Sequence, residues 1–194
     1  MRTQILVLAL AALVAVPPTL GAQAALPPKD QQIAAAILPL PQEYRANAQV
    51  LGYEAPDKLS VIRPGRGMVC LAHNPRATTF HVACYHESLE PFMARGRELR
   101  ATGVKDPEVD SVRFREVRSG TLKMPNGPAA LFSLTGGTYD VKANAAPGAR
   151  RLYVVYVPFA TGASTGLPER PAGSQPWIMF PGTPKAHIMF TATM

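Results

Sequence analysis

The sequence predicts a single α+β domain built on a mostly antiparallel sheet with two to three short helices. Three observations lead there. Short β-rich runs broken by Pro, Gly and Asn fill residues 49–86. One amphipathic helix pattern follows, over 88–103. β-rich runs then return between residues 129 and 191. Strands, then helices, then strands, without regular β–α alternation, is an α+β order rather than a parallel α/β one.

The chain opens on the pattern of an export signal. Arg2 supplies a positive start, residues 5–16 are apolar, and Ala22-Gln23-Ala24 offers a small-x-small cleavage site before Ala25. The apolar run is shorter than the roughly 20 residues a spanning helix needs. No cysteine adjoins the site to accept a lipid, since the first is Cys70. The expected product is one exported domain over residues 25–194, periplasmic or secreted, with no membrane span in the mature chain.

Each later element has a local reason. Asp30 can cap a helix over 30–38 with Ile33, Ala34, Ile37 and Leu38 on one stripe, stopped by Pro39 and Pro41. A short turn over 41–46 follows. Strands are expected over 49–54, 59–63, 68–73 and 80–86, read as an antiparallel meander because turn residues separate them. Ser88 reads as the cap of the next helix, whose buried stripe is Leu89, Phe92, Met93 and Leu99, with Gly103 just past its end. Residues 106–120 fit a second helix, although Val112-Arg113-Phe114-Arg115 also alternates as a strand would. Residues 129–134 and 152–157 read as strands, the latter apolar on both sides as a strand covered on both faces would be. Residues 177–180 and 186–191 flank a turn and read as a hairpin. Loops over 136–149 and 161–176 are long.

The chain has 20 Lys+Arg against 13 Asp+Glu, a formal charge of +7. That favours loose association with anionic surfaces such as lipid headgroups, cell-wall polymers or nucleic acid; the partner expected is an anionic envelope component or a small ligand. The basic residues, densest over Arg95, Arg97, Arg100, Lys105, Arg113, Arg115 and Arg118, are spread out and not interleaved with aromatics. They read as a solvated face, not a specific nucleic-acid site.

The most distinctive stretch is Cys70-x-x-His73 followed by His81-x-x-Cys84. A hairpin centred on residue 77 sets Cys70 opposite Cys84 and His73 opposite His81. With only two cysteines and an oxidising destination, the expected outcome is a disulfide. A four-ligand metal site using His73 and His81 is the first alternative. It needs a tight turn, because a gap of three residues points to opposite strand faces. A pair of inert buried thiols is the second.

Three further groups could carry chemistry. His86 sits at a strand-to-helix junction, where amide groups point outward. His187 falls in the C-terminal hairpin; with Met179 opposite it and Trp177 opposite Met189, these form a soft-ligand face suited to Cu(I), or an ordinary packed face. Gly162-Ala163-Ser164-Thr165-Gly166 matches G-x-S-x-G, with Glu169 and His187 following in order. A serine nucleophile at Ser164 lacks its strand–turn–helix setting, because Pro168, Pro171 and Pro176 follow. No dinucleotide, P-loop or haem motif is present, and no cofactor is expected. The reading is therefore an exported non-catalytic binding or cell-envelope protein. The alternative is a secreted hydrolase or metal-assisted enzyme using His86, His187 or both. Convergence of these side chains on one pocket would favour the enzyme.

Overall fold

The computed structural model describes residues 26–171 and 173–191. The export signal and the Ala24–Ala25 cleavage site lie outside the described residues. The elements are α1 (Lys29–Ala36), α2 (Gln42–Arg45), β1 (Gln49–Ala55), β2 (Lys58–Arg63), β3 (Met68–Leu71) and β4 (His81–His86). A 3-10 turn (Glu87–Leu89) leads into α3 (Glu90–Ala101), followed by α4 (Glu108–Arg118), β5 (Ala129–Thr135) and β6 (Arg150–Tyr156). The chain ends with α5 (Gly162–Thr165), β7 (Trp177–Met179) and β8 (His187–Thr191). No helix among the described residues is long and apolar enough to cross a membrane.

Among the described residues, eight strands join one sheet in the order β2-β1-β3-β4-β5-β6-β8-β7. Every pairing is antiparallel except β1 with β3, which run parallel. The α+β fold on a mostly antiparallel sheet is as expected, but the meander over the first four strands is not. After the β1–β2 hairpin the chain returns across β1 and lays β3 on its far side. The Pro64-Gly65 bend permits this. A side chain at Gly65 would collide with the backbone of Asn47, Ala48 and Gln49, within 2.5 Å of its Cβ.

Strand alternation gives the sheet two faces. One carries Val50, Met68, Cys70 and Cys84 and packs on Ala36 of α1 and Leu40. Gln32 fastens α1 to the sheet. Its amide donates to Tyr53 O at 3.0 Å and accepts from Tyr53 N at 2.8 Å. Asp30 lies in the first turn of α1, not at its cap; Pro28 holds that position, with extended backbone and no side-chain capping hydrogen bond.

The other face carries Leu51, Val69, Tyr85 and Val154 and packs on Leu89 and Met93. Here α3 and α4 lie together, joined by Arg95, which donates to both oxygens of Glu116. Residues 108–118 are helical, not a strand, because Val109 and Arg113 stack on one buried stripe. β6 is covered on one face only. Val154 and Tyr156 are buried, whereas Tyr153 on the reverse side is exposed beside Phe132. Its hydrophobicity reflects an aromatic cross-strand pair rather than two covered faces.

Candidate functional site

Cys70 and Cys84 are directly opposite in the β3–β4 ladder and form a disulfide with an S–S distance of 2.05 Å. Both are fully buried. The Ala36 carbonyl oxygen lies 3.1 Å from Cys84 Sγ, a packing contact, since a bridged sulfur has no proton to donate. The bond uses both sulfurs, which removes two of the four ligands from the metal reading. His73 and His81 do meet. His73 Nδ1 accepts from the His81 backbone at 3.3 Å, and His81 Nδ1 is 2.8 Å from Thr135 Oγ1. Burial lowers the pKa of both, and the neighbouring His73 lowers that of His81 further.

His86 caps the 3-10 turn. Its Nδ1 accepts from Ser88 N at 3.3 Å and lies 2.8 Å from Ser88 Oγ. The capping side chain is thus His86, and Ser88 is inside the turn. Ser164 is held in a capping box. Its Oγ accepts from Thr161 N at 2.9 Å, and its N donates to Thr161 Oγ1 at 3.1 Å. Glu169 accepts from Gly162 N at 2.9 Å. The G-x-S-x-G stretch is a helical turn closed by Gly166 at φ 71°, not a strand-to-helix elbow.

The C-terminal hairpin has the expected register, Met179 opposite His187 and Trp177 opposite Met189. His187 is buried, its Nδ1 bonded to Lys185 O at 2.7 Å and its ring against Tyr156 and Phe180. Burial lowers its pKa, the Lys185 carbonyl opposes that, and the Lys185 charge reinforces it. Met189 packs into the apolar cluster around Val154. His86 and His187 do not converge. Three ladder steps separate their strands, roughly 14 Å, and alternation puts them on opposite faces. Among the described residues no three His, Cys, Asp or Glu side chains gather as a metal site.

A different site emerges between the sheet and the two helices. A cleft of about 260 Å³ has Leu71, Ala83 and Leu131 on its apolar floor, with Met93 beside them. Arg97, Arg100, Arg113 and Lys185 are the charged residues that line it, and all four are cations. Their carboxylate partners do not line it. Glu90 accepts from Arg97 at 2.6 Å, Asp106 from Arg100 at 3.0 Å, and Asp110 from Lys185 at 2.8 Å and from Arg113. The carboxylates therefore orient the cations and leave them facing the cleft.

Two tyrosines complete the lining. Tyr85 Oη accepts from Arg97 at 2.7 Å and donates to Glu90 at 2.5 Å. Burial is the main influence raising its pKa, and the Arg97 charge opposes it. Tyr156 is pushed up to about 12 by burial, against the pull of Arg113. Both hydroxyls stay protonated at neutral pH; that of Tyr85 is already donated to Glu90, which leaves Tyr156 able to donate.

Arg113 is the buried centre. It is 3% exposed, sits 3.9 Å over the Phe92 ring and donates to Phe92 O at 3.1 Å. Its Nε is buried without a hydrogen-bond partner among the described residues. Reading these arginines as a solvated basic face is thus corrected for Arg113, and Arg97 is largely shielded in its ion pair. The signal in the sequence was Gly96, a helix-weakening residue in the middle of α3. No family model, curated protein or solved structure matches the chain.

Proposed function

We propose that the chain is an exported, non-catalytic binding protein that takes a small anionic ligand between its sheet and the α3–α4 pair. The cleft itself carries this reading: its charged lining is wholly cationic, over an apolar floor. Carboxylates held behind the cations keep the guanidinium groups fixed, so little ordering cost remains for the ligand to offset. The N-terminal pattern supports export, and a buried disulfide fits an oxidising compartment. The catalytic candidates are each engaged locally: His86 with Ser88, Ser164 with Thr161, His187 with the Lys185 carbonyl.

The test is NMR titration of the exported protein with benzoate and with inorganic phosphate at low salt. Saturable shifts confined to α3, α4 and the Lys185 region are expected, weakened by Arg100→Gln and by added salt. No saturable shift with either anion would reject the reading. The N-terminus of the exported protein is expected at Ala25; material retaining residues 1–24 would reject export by cleavage.

A further inference from the structure

We infer that the ligand of this cleft is an amphiphilic monoanion, with one carboxylate head on a single short apolar body. The inference rests on the anion-binding reading and deepens it.

The head position is marked by Gly96. A Cβ there would lie 2.9 Å from Arg113 Nη1 and 3.1 Å from Arg100 Nη1. Two guanidinium groups from different helices therefore crowd one point on α3, and only a bare Cα admits them both. Glycine inside a helix is disfavoured relative to alanine, and the space it leaves is taken by these two guanidinium groups. Both groups lie beside this one point, so an anion held there would be attracted by both charges. Arg113, buried with an unpaired Nε, has donor capacity that its protein partners leave unused.

The charge of the head follows from the ion pairs. Glu90 answers Arg97, Asp106 answers Arg100, and Asp110 is shared by Arg113 and Lys185. Glu98 and Glu116 are engaged by Arg95 and do not line the cleft. Four lining cations thus stand against three carboxylates, a surplus of one. One negative charge balances it. A polyanion such as a nucleotide would be over-charged for the site.

The body is set by the floor. Met93, Leu71 and Leu131 give the ligand an apolar surface to cover, and Met adapts to an irregular chain. The volume, about 260 Å³, lies just below the usual range of ligand pockets, which starts near 300 Å³. A single short alkyl or aryl body fits that size better than a two-chain lipid held whole.

The experiment compares acetate, octanoate and octanol by NMR titration of the intact exported protein. Octanoate is expected to bind at the cleft roughly 50-fold or more tightly than acetate, because the added methylenes leave water. Octanol, with no charge, is expected to bind at least about tenfold more weakly than octanoate. Gly96→Ala is expected to weaken octanoate by pushing the guanidinium groups apart. Arg100→Gln, at a half-exposed position that leaves the core untouched, is expected to weaken it at least about fivefold. If acetate and octanoate bind the cleft equally, the anion site stands and this inference falls. If neither perturbs the cleft, both fall. Octanoate binding that Arg100→Gln leaves unchanged, or octanol binding as tightly, overturns the assignment of the head.

Discussion

Asp110 gives one carboxylate oxygen to Arg113 on its own helix and the other to Lys185, which lies just before β8. One side chain therefore ties α4 to the last hairpin. Burial opposes its ionisation, but hydrogen bonds from Lys185 and Arg113 outweigh that and lower its pKa. Asp110→Asn should cost about 2–3 kcal/mol, because it leaves Arg113 buried with less compensation. Urea unfolding at neutral pH measures this. The stabilisation is present above the unfolded aspartate value, about 3.9, and is lost as pH falls through the lower folded value. The wild-type advantage over the variant should shrink in acid; an advantage that grows there would contradict the assignment.

The Cys70–Cys84 bond should contribute about 3 kcal/mol in the loop-closure view. The double variant Cys70→Ala/Cys84→Ala is expected to unfold at lower urea concentration by that amount. Intact mass of wild type should rise by two hydrogens on reduction. An unchanged mass, with both thiols open to alkylation, would contradict the bond.

His73, His81 and His187 are all lowered below the ordinary imidazole value, chiefly by partial desolvation, although only His187 is itself buried. The unfolded chain takes up these protons first as pH falls below about 6.5. Stability is therefore complete above that value and declines toward the folded pKa values. Tm is expected to drop between about pH 7 and pH 5, and His187→Gln to drop less steeply. A wild-type Tm that holds or rises across this interval would count against the neutral state of these histidines.

Ser164 is expected to behave as a cap and not as a nucleophile. A fluorophosphonate probe should leave it unlabelled. Ser164→Ala should cost about 0.5–1 kcal/mol through the lost cap. Labelling of wild type that disappears in Ser164→Ala would restore the hydrolase reading.

The disulfide was legible because one hairpin register aligned two residue pairs at once, Cys70 with Cys84 and His73 with His81. The Trp177–Met189 register was legible for the same reason, a short turn between alternating runs. The β1–β3 pairing was not, because turn residues at Pro64-Gly65 report a bend and not which side of β1 the next strand takes. The cleft was hidden more deeply. Its cations come from α3, α4 and the segment before β8, and Arg113 looks solvent-facing until Phe92 and Asp110 are placed around it. Gly96 was the readable trace. Its unfavourable place in a helix makes sense only when a second helix brings Arg113 against it.

The two ends of the sheet bear on how the molecule tolerates its own concentration. β7 offers an incoming strand only three residues. β2 begins with exposed Lys58, paired with Glu54, and ends at Arg63, whose guanidinium is turned back onto the carbonyls of Ala48 and Arg45. A short margin at one end and a charged one at the other discourage edge-to-edge stacking. Copies can therefore crowd together without extending one another's sheets into fibres.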